Sequence, residues 1–126
     1  MTATPQTLWF TQMIEYQVPA SHQAALAQAL VVRSEELAVR CKDLQGVSIQ
    51  TSDDGSRVLQ CLQWQSRQAW AAAAECFAEE PFFDLLSLHR ARGVNFAAYQ
   101  ALCSLVRDAD GDLHCQIGEG QAYHGA

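Results

Sequence analysis

Residues 57–77 read RVLQCLQWQSRQAWAAAAECF, and a change of period inside them decides the fold. As far as Gln65 the chain alternates, with Val58, Gln60, Leu62 and Trp64 on one face, which is the pattern of a strand. Ser66 then stands where a helix N-cap is wanted, and the run from Ala69 to Phe77 holds four consecutive alanines, the strongest helix formers. The segment therefore predicts a strand that runs directly into a capped helix.

Working outward, Val47–Thr51 is a second strand, joined to Arg57–Gln65 by Ser52-Asp53-Asp54-Gly55. The Asp-Gly pair favours a tight turn, so the two strands are expected to be antiparallel neighbours. Upstream, Leu8 to Val18 (LWFTQMIEYQV) places Leu8, Phe10, Ile14, Tyr16 and Val18 on one face, with Gln12 the polar exception. Pro19 and Ala20 stop that strand. Ser21 is read as the N-cap of a helix carrying Leu26, Leu30, Leu37, Cys41 and Leu44, closed by Gly46.

Downstream, Pro81 starts a short helix through Phe82 and Phe83 to about Arg92, ended by Gly93. Phe96 to Val106 is the next expected strand. Asp108-Ala109-Asp110-Gly111 signals another turn, after which Leu113, Cys115 and Ile117 alternate as a strand pairing back on its neighbour. The order β-α-β-β-α-β is the ferredoxin-like α+β arrangement, an antiparallel sheet with both helices on one face. One domain is expected over residues 1–126, with a core at about 8–107, an extra strand and tail over 108–126, and loose ends at about 1–6 and 118–126. The other face of the sheet, which includes Trp9, Thr11 and Met13, is partly apolar and needs a cover. A second copy of the sheet supplies it, so a homodimer with sheets face to face is expected.

Composition narrows the function. The 126 residues are 49% hydrophobic and 17% charged, as in a folded globular chain. Eight Lys and Arg against fourteen Asp and Glu give a net charge of −6, with the basic residues scattered, so nucleic acid and anionic membrane are poor partners. The N-terminus lacks the features of a signal peptide, and no apolar run approaches a membrane span of about 18 residues. Cys41, Cys61, Cys76, Cys103 and Cys115 are odd in number and contain no C-x-x-C pair, which argues against a disulfide framework and for a reducing, cytoplasmic location. No nucleotide, phosphate-loop, hydrolase-elbow or zinc-protease motif is present. His114, Cys115 and His124 are too scattered for a metal site, and the Asp-rich turns at 53–55 and 108–112 are read as turn chemistry, without a calcium loop.

With these elements in place, Tyr16-Gln17-Val18-Pro19-Ala20 and above all Trp64, Ser66, Ala69 and Trp70 resemble the antibiotic biosynthesis monooxygenase family of dimeric α/β-barrel proteins. In that family the third strand ends in a pattern like W-x-S-x-x-A-[FW]. The resemblance covers roughly residues 8 to 107 and implies the fold, the dimer, and in some members oxidation of polyketide anthrones or quinols by dioxygen without metal or flavin. Other members degrade haem or have no assigned activity. Two departures stand out. Many members carry a His mid-way along the second helix, where this chain reads Ala73-Ala74-Glu75-Cys76. The haem-degrading branch implies an Asn and a His at positions that fall near Met13 and Ser87 here, so haem degradation is not expected.

A cofactor-free oxidation of this kind needs an apolar aromatic-lined pocket, a proton acceptor and donors for a developing anion. Trp64 is the expected lining residue, and Gln12 or His89 the groups that handle protons. Gln12 must be hydrogen-bonded inside the protein or aimed at a ligand, whereas His89 beside Arg90 and Arg92 also suits a solvated helix end. Tyr16, Tyr99, Phe82 and Phe83 are the expected contacts to a small aromatic or apolar ligand, each also suited to plain packing. The alternative is a non-catalytic dimeric barrel that binds a small apolar ligand or a protein, or a cyclase or isomerase of the same fold.

Overall fold

In a computed structural model, residues 9–78 and 82–117 are described, without the side chains of 74–78, 82, 83, 116 and 117. The expected tails at 1–6 and 118–126, the acidic pair Glu79-Glu80, Pro81 and His124 lie outside these residues. Strand β1 (Phe10–Gln17) leads through a short 3₁₀ turn (Ala20–His22) into helix α1 (Gln23–Arg40). Strands β2 (Leu44–Thr51) and β3 (Arg57–Trp64), helices α2 (Arg67–Ala78) and α3 (Phe82–Leu88), and strands β4 (Gly93–Gln100), β5 (Cys103–Arg107) and β6 (Leu113–Ile117) follow.

The main sheet is four-stranded with order β2-β3-β1-β4, every pairing antiparallel, which is the ferredoxin-like topology. Strict alternation fixes its faces. Phe10, Ile14 and Tyr16 of β1 and Val58, Leu62 and Trp64 of β3 are buried with Leu26, Leu30 and Leu37 of α1. Met13 on the opposite face sits between Cys61 and Ala97, and all three are half-buried. The expected bare, partly apolar face is therefore present. The Ser66 cap is present too, its Oγ accepting the backbone N–H of Ala69 at 3.0 Å.

Four boundaries differ from the sequence expectation, each for a local reason. Helix α1 starts after the 3₁₀ turn without a Ser21 cap, and ends at Arg40 because Cys41 is extended. Leu44 and Gly46 thus belong to β2, where the register shifts between them. At Gly46 a Cβ would lie 3.0 Å from the Gln63 Oε1, so a side chain there would displace the end of Gln63. Helix α3 closes on Arg90, at φ 56°, in a Schellman-like cap with Ala91 N–H on the Leu86 carbonyl, so Gly93 opens β4 instead of ending a helix. The β2–β3 connection, by contrast, falls between Thr51 and Arg57 as the sequence predicts: Gly55 takes φ 80°, and Asp54 Oδ1 accepts from the Ser52 and Ser56 hydroxyls and the Ser56 N–H. The single strand expected over Phe96–Val106 is two, divided at Ala101-Leu102, and the second of them pairs only with β6 in a separate two-stranded sheet.

The cysteine expectation is also corrected. Cys103 and Cys115 form a disulfide across β5 and β6 with their Cα atoms 6.3 Å apart. Counting cysteines could not find this pair, because the hairpin register is what joins them. Among the described residues, no helix is long and apolar enough to cross a membrane.

Candidate functional site

The alternation of β1 and β3 sends Gln12 and Trp64 to the helix side of the sheet. Phe10 is opposite Trp64 and Gln12 opposite Leu62, so the two residues are diagonal neighbours. Trp64 is fully buried, and its indole N–H donates to Gln12 Oε1 at 3.2 Å. An indole can only donate. The contact therefore fixes the amide with its oxygen toward the ring, and leaves the two N–H donors of half-buried Gln12 unbonded to any described residue. Phe10 extends the aromatic wall: its ring lies 5.0 Å from that of Trp70, with the Arg67 guanidinium 4.8 Å from the Phe10 centroid.

A second polar group lies deeper along the same strands. The Tyr16 hydroxyl donates to Gln60 Oε1 at 2.7 Å, and Gln60 Nε2 donates to Ser34 Oγ at 3.0 Å. All three residues are buried. Burial pushes the Tyr16 phenol far above its ordinary pKa, while the positive charge of Arg33 on α1 pulls the other way. Burial in turn lowers the Arg33 pKa. Tyr16 is thus a neutral donor committed to Gln60, and is not an available proton acceptor.

The other expected site residues are placed differently. His89 sits half-buried in the turn after α3, and its ring bonds to no described residue. Tyr99 pairs with Thr11 in the sheet register and stands exposed on the face away from the helices, so it does not share the Gln12–Trp64 site. Phe82 and Phe83 open α3, with side chains outside the described residues. Phe96, opposite Ile14 on the helix side of edge strand β4, is 62% exposed, an aromatic position that the sequence reading left out of the site. Gln60 and Ser34 were also missed. Their signals were a polar residue at a core position of β3 and a serine on the Leu26–Leu30–Leu37 stripe of α1.

An open groove of about 420 Å³ runs between α1 and edge strand β2, lined by Val31, Ser34, Glu35, Leu44, Val47 and Ile49. Ser34 joins it to the Gln60 network, but neither Gln12 nor Trp64 lines it. Among the described residues no three His, Cys, Asp or Glu side chains are grouped to hold a metal ion. Met13, where the resemblance to haem degraders implies an Asn, stands on the face away from the helices, and Ser87 is exposed on α3.

These features define the class: an antiparallel ferredoxin-like α+β fold. The solved structures it is similar to include the monooxygenase ActVA-Orf6 of Streptomyces coelicolor in complex with nanaomycin D, at TM-score 0.66 and 18% identity over 80% of this chain and 94% of that one. A dimeric ferredoxin-like protein from an uncultured marine organism matches at TM-score 0.64 and 13% identity, covering 84% of this chain and 97% of that one. SnoaB, a cofactor-independent oxygenase of Streptomyces nogalater, matches at TM-score 0.53 and 12% identity over 75% and 94% of the two chains. At the level of sequence, no family model and no curated protein matches.

Proposed function

We propose that the chain is an antibiotic biosynthesis monooxygenase-type protein, a cytoplasmic homodimer that oxidises an aromatic, quinol or polyketide-like small molecule with dioxygen and without a cofactor. The observation that carries this reading is the Trp64–Gln12 pair, an indole that holds an amide by its oxygen and leaves its two N–H donors unbonded to any described residue beside the Phe10–Trp70 aromatic pair. An electron-rich phenol or enol that loses its proton becomes an anion able to reduce dioxygen directly. Gln12 donates to the oxygen on which that negative charge develops, the geometry in which preformed donors lower a barrier most. For an anthrone, the methylene carbon gains one oxygen atom as a carbonyl, and the other oxygen leaves as water with the two methylene hydrogens. The fold-related ActVA-Orf6 monooxygenase with its bound nanaomycin D, and the cofactor-independent oxygenase SnoaB, support this choice of chemistry.

The dimer rests on the half-buried stripe at Met13, Cys61 and Ala97 and on the dimeric ferredoxin-like neighbour. The residues assigned here are Trp64 and Gln12, with Phe96 as a further contact. His89 stays a candidate proton acceptor, to be tested as a variant.

The test is oxygen uptake by metal-stripped protein offered anthrones, naphthols and quinols, beside Trp64→Phe, Gln12→Leu and His89→Ala. Uptake above autoxidation that falls in Gln12→Leu supports the reading, and background uptake with every compound overturns it. One observation favours a second reading, a binding module without catalysis. Gln12 and Trp64 are neutral, and neither an amide nor an indole is a base that can accept the substrate proton. Quenching of tryptophan fluorescence by the same compounds without oxygen uptake identifies that case.

A further inference from the structure

The β5–β6 hairpin is built around its cysteines. Cys103 is opposite Ile117 and Leu105 is opposite Cys115, so Cys103 and Cys115 occupy diagonal positions on one face of a two-stranded ribbon. Their Cα separation of 6.3 Å is within disulfide reach, and the bond is formed. Both residues are exposed. The contrast with Cys41, which is buried, and Cys61, which is half-buried with a thiol pushed up by burial, is complete.

The ribbon has little else to hold it. It forms its own sheet apart from the main one, and an isolated two-stranded hairpin is at best marginally stable in water. Leu105, Val106 and Leu113 are all exposed, so none of the described residues closes a core over it. The remaining fastenings are at the turn. There the Asp108 carboxylate accepts the N–H groups of Asp110 at 2.9 Å and Asp112 at 3.0 Å, and Asp108 Oδ2 contacts His114 Nε2 at 2.6 Å. A disulfide acts by restricting the opened chain, and it matters most where other interactions are few.

We propose that Cys103 and Cys115 are a thiol–disulfide exchange site whose redox state sets whether the C-terminal hairpin persists. In the oxidising direction the thiolate of one cysteine attacks a low-molecular-weight disulfide, RSSR, forming a mixed disulfide and releasing one RSH. The second thiolate then attacks the protein sulfur of that mixed disulfide, closing the Cys103–Cys115 bond and releasing the second RSH. Two cysteine thiols are oxidised, and one RSSR is reduced to two RSH. A dithiol reverses the sequence. Exposed disulfides in a reducing compartment are characteristically transient and redox-sensing, and this pair has that exposure. The inference rests on the cytoplasmic location proposed above but not on the catalytic reading, since it invokes none of Trp64, Gln12 or His89.

The sequence provides an internal reporter. Arg107 lies between the two cysteines, and no Lys or Arg follows it, so trypsin releases 93–107 and 108–126. The full chain is equilibrated in mixtures of a small thiol and its disulfide, acid-quenched and digested. The two peptides are expected as one disulfide-linked species in oxidising mixtures and as separate thiol peptides in reducing ones, with a single reversible transition between. Limited digestion of the native protein is expected to cut Arg107 about tenfold faster after reduction, because cleavage follows the opened population. Cys103→Ser is expected to cut at the fast rate in every mixture. The proposal is overturned if the linked species never forms, if excess dithiol at native pH fails to open it, or if the Arg107 cleavage rate is the same in both states.

Discussion

The indole N–H of Trp64 donates to Oε1 of Gln12 at 3.2 Å across the diagonal of the β1–β3 pair, and this bond decides which way the Gln12 amide faces. Gln12→Leu removes both the acceptor and the two outward donors. It is expected to destabilise the fold by about 1–3 kcal/mol, since the buried indole N–H loses its partner. Urea unfolding with an unchanged m-value checks the stability, and fluorescence quenching by a naphthol checks the ligand. Gln12→Glu separates the two roles: it keeps an oxygen for the indole but presents a carboxylate to the ligand. Quenching by the ionised naphthol is expected to weaken about tenfold, equivalent to about 1.4 kcal/mol.

Tyr16, Gln60 and Ser34 form one buried chain of hydrogen bonds, so their deletions should not add. Tyr16→Phe leaves Gln60 Oε1 without its donor and is expected to cost about 1–3 kcal/mol. Ser34→Ala takes the acceptor away from Gln60 Nε2, at a similar expected cost. A double-mutant cycle by chemical denaturation is expected to give a coupling of about 0.5–3 kcal/mol, and additivity within about 0.3 kcal/mol would show the two bonds to be independent.

The raised Tyr16 pKa sets a sign for stability at high pH. A folded-state pKa above the unfolded value of about 10 means that, above that pH, the unfolded chain has released a proton that the folded chain retains. Its contribution is complete below about pH 10 and is lost as the pH rises toward the folded value. Stability of the native chain is therefore expected to fall from about pH 10 upward more steeply than that of Tyr16→Phe, measured by denaturant midpoints across that range. Parallel curves would show that the phenol does not titrate differently on folding.

At the acid end the β2–β3 loop is the sensor. Three hydrogen bonds from Ser52 and Ser56 hold the Asp54 carboxyl down to about 2. A depressed pKa contributes stability above the unfolded value of about 3.9 that is lost as the pH falls through the folded one. Asp54→Asn is expected to remove that part of the acid dependence and leave the neutral-pH fold intact. Amide exchange of the Ser56 N–H, which bonds to Asp54 Oδ1, provides the local readout.

Met13 lies at the centre of the face that the helices leave bare, between Cys61 and Ala97. Met13→Lys puts a charge where the proposed partner sheet packs. Light scattering at micromolar concentration is expected to show a dimer for the native chain and a monomer for the variant. A native monomer would remove the dimer from the proposal.

How much was legible in advance follows from the range of the interaction that fixes each feature. The alternation of Arg57–Trp64, the Ser66 cap and the Asp-Gly turn are local, so the strands, the second helix and the antiparallel β2–β3 pair could be read from neighbouring residues. Boundaries set by a single backbone angle or a bulge were not legible: Cys41 turning extended, Gly46 at the register shift, Arg90 at positive φ. Gln12 and Trp64 could each be suspected from their position on a strand. Their contact is 52 residues long-range in sequence, and only the strand register could make it.

By itself, then, the sequence determined the periodicities, and with them the element order and the two faces of the sheet, because side-chain direction along a strand or helix is fixed by backbone geometry alone. The tertiary structure decided the pairings: Trp64 with Gln12, Tyr16 with Gln60 and Ser34, Cys103 with Cys115. Each depends on which residues of separate segments come opposite one another, and that is settled only when the segments pack and their registers lock together.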